Sequence, residues 1–137
     1  MKTFYAVFDT NVLVSALMSK HADSPTVLLL DYVIDGRIVL LYNEDIINEY
    51  KDVLHRDKFH FNDEQIDALL DLIKTGLHLD PTASQETFAD EDDRVFYEVA
   101  LSKDEGYVVT GNVKHFPKSP IVVTPAEMMQ IIQENYK

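Results

Sequence analysis

The fold is indicated first by residues 3–17, TFYAVFDTNVLVSAL, in which an apolar run meets an aspartate and then a helical pattern. Aromatic and branched side chains at positions 3–8 favour a β-strand. Beyond Asp9, apolar side chains recur on one face of residues 11–20, which predicts a helix. We therefore expect a strand that ends at an acidic residue and leads directly into a helix.

The same alternation of short apolar runs and helical segments continues to the end of the chain. Further strands are predicted at 37–41, 77–79, 107–109 and 121–123. Further helices are predicted from Ser24-Pro25 to Gly36, from Asn43 to about His55, from Asn62 to Gly76, from Asp90 to Ser102 and from Thr124 to about Asn135. Continuously apolar strands separated by helices predict a three-layer α/β/α sandwich, with a mostly parallel central sheet of four to five strands. With no visible repeat or linker, residues 1–137 are expected to form a single domain.

Composition narrows the functional classes. The 137 residues include 12 Lys and Arg against 24 Asp and Glu, a formal net charge of −12, and contain no cysteine. A disulfide scaffold, a thiolate metal site and a cysteine nucleophile are therefore excluded. On average, so acidic a chain repels nucleic acid, whereas it attracts a basic protein or a divalent metal. Where carboxylates hold a cation, however, the sign of the local electrostatic field is reversed. Because the sequence has neither a membrane-length apolar run nor the pattern of a secretory signal, we expect a cytoplasmic protein without a membrane partner.

Candidate functional residues lie where predicted strands end. Asp9 follows the first strand, Asn112 follows the strand at 107–109, and an acidic run occupies 90–93. Ligands of parallel α/β sheets bind in the crevice at the carboxyl ends of the strands. Glu49 borders the apolar stripe of its helix and is expected to project into the same crevice.

Converging carboxylates repel one another and therefore favour a bound cation. Oxygen ligands select hard ions such as Mg²⁺ or Mn²⁺, and these ions suit phosphodiester chemistry. Each residue taken alone also has an ordinary structural explanation. Asp9 would serve as a helix N-cap, Glu49 as a solvated helix residue, the run at 90–93 as a complement to the helix dipole, and Asn112 as a turn residue. Their joint placement favours the metal site.

Four short motifs occur in order: DTN at 9–11, EYKDVL at 49–54, DEDDRVF at 90–96 and YVVTGN at 107–112. In this order and spacing the chain resembles the PIN-domain family over residues 3–124. The resemblance is greatest to the small VapC-like members, which are toxin components of toxin–antitoxin pairs. It implies an α/β/α sandwich and cleavage of RNA that depends on Mg²⁺ or Mn²⁺. It also implies a homodimer and a small neutralising antitoxin protein.

The resemblance also implies roles for individual residues. Asp9, Glu49 and Asp93 would form the catalytic acidic core that holds the metal, and Asp92 or Asp90 could act beside or instead of Asp93. Asn112, which stands where many members have a fourth acid, would be a further metal ligand. Thr110 and Asn11 would orient Asp9. For RNA contact we consider the cations Arg94 and Lys114, although Arg94 could instead pair with Asp90.

Three hypotheses follow. The leading one is a metal-dependent endoribonuclease. The alternative is a non-catalytic PIN-like module that binds RNA or a protein partner, which the net charge of −12 and the absence of a fourth acid favour. A phosphatase that uses Asp9 as its nucleophile is the least favoured, because such enzymes usually have a second aspartate at the position of Asn11.

Overall fold

A five-stranded parallel sheet forms the centre of the computed structural model, which describes residues 2–135. Its strands are β1 (Phe4–Phe8), β2 (Ile38–Tyr42), β3 (Leu77–His78), β4 (Gly106–Val109) and β5 (Val122–Val123). They lie in the order β3-β2-β1-β4-β5, and every neighbouring pair is parallel. The predicted sheet is thus confirmed, with β1 at its centre.

Within residues 2–135, six α-helices flank the sheet and complete the predicted three-layer α/β/α architecture. They are α1 (Thr10–Met18), α2 (Pro25–Ile34), α3 (Glu44–Leu54), α4 (Asp63–Ile73), α5 (Arg94–Leu101) and α6 (Pro125–Glu134). Helix α5 packs against β1 and β4, while α2 packs against both α1 and α6. None of the helices within residues 2–135 has the length and apolar character needed to cross a membrane. The prediction of one domain over 1–137 includes Met1, Tyr136 and Lys137, which lie outside the described residues.

Burial explains why β1 is central and where polar groups collect. Ala6, Val7 and Phe8 are completely buried, as expected of a strand that has neighbours on both edges and helices on both faces. Directly beyond the strands, however, buried polar side chains replace apolar ones: Asp9 follows β1 and Thr110 follows β4. The carboxyl edge of the sheet therefore holds polar groups that are shielded from water.

The acidic segment at 90–93 differs from its predicted helical form. A 3₁₀ turn at Glu91–Asp93 precedes α5, so the α-helix begins only at Arg94. The Asp90 backbone is extended, with φ −125°, and its side chain accepts a hydrogen bond from the Asp92 amide at 2.9 Å. This local bond competes with α-helical hydrogen bonding and stops α5 from extending towards residue 90.

Candidate active site

The Asp9 carboxylate is held by hydrogen bonds at the end of β1. One oxygen, Oδ1, accepts from the Thr10 amide at 2.9 Å, in the manner of a helix N-cap. The other, Oδ2, accepts from Thr110 Oγ1 at 2.7 Å and from Asn11 Nδ2 at 3.2 Å. Since the residue is only 9% exposed, these bonds fix the carboxylate in one orientation.

The loop that follows β4 is connected to the Asp9 carboxylate through Thr110 and Asn11, the two side chains that donate hydrogen bonds to Asp9. Thr110 Oγ1 accepts from the Asn112 amide at 3.0 Å, and Asn11 Oδ1 accepts from the Gly111 amide at 3.2 Å. Asn112 itself is exposed to solvent. The ends of β1 and β4 therefore form one connected polar network.

Asp93 lies close enough to Asp9 for the two charges to interact. Burial raises the pKa of Asp93 to about 6, and the negative charges of Asp9 and Asp90 contribute to that rise. Burial also raises the pKa of Asp9, although the hydrogen bonds from Thr110 and Thr10 oppose the increase. His115 Nδ1 stands 3.9 Å from Asp93 Oδ2, and its positive charge, when protonated, favours both carboxylates in their ionised form.

Glu49 and Asp92 form a second acidic pair beside the first. Burial raises the pKa of the half-buried Glu49 carboxyl, followed by repulsion from Asp92 and Asp52. Together with Asp45 and Glu91, Glu49 and Asp92 line an acidic hollow of about 320 Å³. The 3₁₀ turn thus brings Asp93 near Asp9 and Asp92 near Glu49. The sequence pattern did not predict that these two adjacent aspartates would have different neighbours.

The chemistry of these side chains fits a hard divalent cation. Among residues 2–135, no three Asp, Glu or His side chains are already gathered as a metal-binding group. The negative charge of Asp9 nevertheless contributes to the raised pKa of Asp93, and that of Asp92 to the raised pKa of Glu49, and a cation between the carboxylates would remove this repulsion. Thr10 Oγ1, directly after Asp9, is buried without a hydrogen-bond partner within the described residues. Oxygen donors of this kind suit Mg²⁺ or Mn²⁺.

Tyr50 makes a contact that the sequence pattern did not predict. Its side chain is 1% exposed, and its hydroxyl donates to the Phe8 carbonyl at 2.5 Å. Burial raises the pKa of Tyr50 well above its usual value, and the charge of Asp9 adds to the effect. Because Tyr50 is next to Glu49 on α3, this bond ties the helix that carries Glu49 to the strand end that carries Asp9. The sequence does contain a signal for such a hydrogen bond, because Tyr50 lies in an otherwise apolar stripe of its helix and a buried tyrosine hydroxyl usually has a hydrogen-bond partner.

The cation of Arg94 is engaged within its own chain. The guanidinium pairs with Glu91 at 2.6 Å and Glu98 at 3.4 Å rather than with Asp90, and it donates to the Glu86 carbonyl at 2.7 Å. These contacts fasten the irregular segment before α5, so RNA contact by Arg94 remains a prediction. Lys114, in contrast, is exposed in a 3₁₀ turn at Val113–His115.

The sequence matches the family model described as PIN domain over residues 5–114. No curated protein and no solved structure gives a significant match. The matched segment includes β1 from Tyr5 onwards, with Asp9 at its end, as well as Glu49, the acidic turn and the start of the loop after β4. Since it covers well over half of the chain, and the parallel sheet has the expected architecture, this protein belongs to the PIN-domain family, whose fold is generally that of a nuclease.

Proposed function

We propose that residues 1–137 form one PIN-like domain that acts as a Mg²⁺- or Mn²⁺-dependent endoribonuclease, with Asp9, Glu49 and Asp93 as its acidic core. The observation that carries this proposal is the buried Asp9 carboxylate, which is hydrogen-bonded through both oxygens at the carboxyl edge of the sheet and whose negative charge contributes to the raised pKa of Asp93. In a chain of a family with a nuclease fold, this is the place where ligands of parallel sheets bind.

Asp9, Glu49 and Asp93 would hold the cation, with Asp92 and Asn112 as further oxygen donors. When bound, the cation would supply Lewis-acid activation of water and neutralise negative charge on the phosphate. Thr110 and Asn11 keep the Asp9 carboxylate in place through their hydrogen bonds, so that little reorganisation is needed when substrate binds.

Lys114 would contact the RNA backbone beside these carboxylates. It lines a hollow of about 340 Å³ together with Asn112 and His115, and this hollow is formed by the loop after β4, whose Thr110 and Gly111 are hydrogen-bonded to Asp9 and Asn11. A cation at this point offsets part of the repulsion that a chain of net charge −12 exerts on phosphate.

A circular RNA tests the proposed activity, because only an endonuclease can open it. We expect Mn²⁺ to produce linear RNA and EDTA to stop the reaction, whereas an exonuclease would leave the circle intact. Retention of RNA without cutting at any Mn²⁺ concentration would support the alternative of a non-catalytic RNA-binding module and contradict the endonuclease.

We further propose that this ribonuclease is the VapC-like toxin of a toxin–antitoxin pair, acting in the cytoplasm as a homodimer. The order and spacing of the four motifs support this role, and the acidic surface suits an antitoxin with a basic binding segment. Overexpression should arrest growth, and co-expression of the product of a neighbouring gene should restore it. Harmless overexpression of an active enzyme would contradict the toxin role.

A further inference from the structure

Three hollows around the candidate carboxylates differ in charge. The first is lined by Glu49, Asp92 and other acids, and the second contains Lys114. The third, of about 250 Å³, is lined by no charged side chain of the described residues. Glu49 and Asp92 of the proposed metal site line the first hollow, and the proposed phosphate contact Lys114 lines the second, which leaves the neutral hollow without an assigned ligand.

This neutral cleft borders the Asp9 network directly. Asn11 forms part of its wall, and the same side chain donates to Asp9 Oδ2 at 3.2 Å and accepts from the Gly111 amide. The Asn11 side chain is thus held at both ends and separates the cleft from the carboxylate. The main lining residues come from α1, α2, the loop after β4 and the start of α6: Asn11, Val12, Ser15, Thr26, Asn112 and Pro125.

We propose that this cleft binds one nucleobase of the RNA, adjacent to the phosphate that lies at Asp9. The inference rests on the proposed function and adds a site for base recognition. A phosphate in the cleft would have no cation among its lining residues in the described part of the chain, whereas an uncharged ring does not need one. The volume is below the roughly 300 Å³ at which pockets for drug-sized ligands begin, so the cleft suits a single base rather than a larger group.

The lining offers both kinds of contact that a base uses. Val12 and Pro125 supply apolar surface for the ring face. Ser15 Oγ and Thr26 Oγ1 are hydrogen-bonded to each other at 3.2 Å, so one of the two hydroxyls keeps its proton for donation to the edge of a base, and both can accept. Thr26 is 8% exposed, so its hydroxyl lies deep in the cleft, whereas Ser15 is exposed at its mouth. Sequence-specific RNA recognition reaches base edges in this way when the strand is unpaired and its bases can be splayed out.

Mapping of cut sites in a single-stranded RNA library tests this assignment. We expect the wild type to prefer one base or base class next to the cut by about tenfold, the scale of selectivity that a few pocket contacts provide. Ser15→Leu fills the mouth of the cleft and should make the cutting frequencies equal, and Thr26→Val, which removes a hydroxyl at nearly constant volume, should change the preferred base. Gln133→Leu, on an exposed position of α6 outside the cleft, should keep the wild-type preference.

Nucleoside binding gives a second readout that does not require cleavage. Uncharged adenosine, guanosine, cytidine and uridine are titrated into the metal-free protein while backbone amide signals are followed by NMR. At least one nucleoside should shift the backbone amide signals of positions 15 and 26 in the wild type, and none should shift them in Ser15→Leu. A wild type that cuts without base preference and shifts none of these signals would overturn the inference. Nucleoside binding without RNA cleavage would instead contradict the proposed endonuclease while supporting the base site.

Discussion

Asp93→Asn is expected to lower the rate of RNA cleavage by about a hundredfold to a thousandfold, and yet to stabilise the metal-free protein. The loss of activity follows because the substitution removes a charged oxygen donor next to Asp9. The stabilisation follows because the Asp93 pKa is raised to about 6 from 3.8, so ionisation of this carboxyl costs the folded state free energy. The side chain makes no cap hydrogen bond to α5, so no such contact is lost.

The direction of the Asp93 pKa shift determines how the stabilising effect of Asp93→Asn depends on pH. A raised carboxyl pKa destabilises the folded wild type as the pH increases from near 4 through about 6. In urea unfolding without metal, Asp93→Asn should therefore gain about 1 kcal/mol near pH 8, after allowance for solvent screening, and almost nothing near pH 4. Asp71→Asn removes the same charge at an exposed position of α4 and serves as the control. If both variants gained the same free energy of unfolding, the stabilisation would result from the change in net charge and not from the position of Asp93 in the site.

Tyr50→Phe is expected to lower the free energy of unfolding by about 1–3 kcal/mol, although it removes only one oxygen atom. That oxygen donates to the Phe8 carbonyl in a fully buried position, so its loss leaves a carbonyl that water cannot easily reach. The paired register between β1 and β2 ends at Ala6 and Leu40, two residues before Phe8. Tyr50 therefore provides a side-chain donor at the point where pairing with β2 has stopped.

Tyr97→Phe is the matched control for Tyr50→Phe. Tyr97 is also buried, at 6% exposed, but its hydroxyl has no hydrogen-bond partner among the described residues. Chemical denaturation of both variants should show a change of less than about 0.5 kcal/mol for Tyr97→Phe. If the two substitutions had the same effect, the bond from Tyr50 to Phe8 would not contribute measurably to stability.

The sheet could be predicted because its signals are local. The apolar runs at β1, β2 and β4 follow directly from burial on both faces, and N-caps such as Asn43 and Asn62 mark helix starts by short-range hydrogen bonds. The position of Asp9 at a strand end followed from the same pattern. Local rules therefore indicated which edge of the sheet holds the polar groups.

The internal arrangement of the site depends on contacts that sequence spacing does not encode. Tyr50 and Phe8 are 42 residues apart, and only the tertiary fold brings the hydroxyl to that carbonyl. In the acidic run, the hydrogen bond between Asp90 and the Asp92 amide produces a 3₁₀ turn, which directs Asp92 and Asp93 towards different partners. The pairing of Arg94 with Glu98 was accessible from its i,i+4 spacing, whereas its bond to the Glu86 carbonyl was not.

Cleavage of a total RNA pool in Mn²⁺ by the wild type and by Asp9→Asn tests the central claim most directly. Asparagine caps helices about as well as aspartate, so the variant is expected to fold while losing the charge that would hold the cation. We predict discrete RNA products with the wild type, and none with Asp9→Asn or when EDTA is added. Equal cleavage by the wild type and Asp9→Asn in matched Mn²⁺ would contradict the proposal that this carboxylate is the core of a metal-dependent ribonuclease.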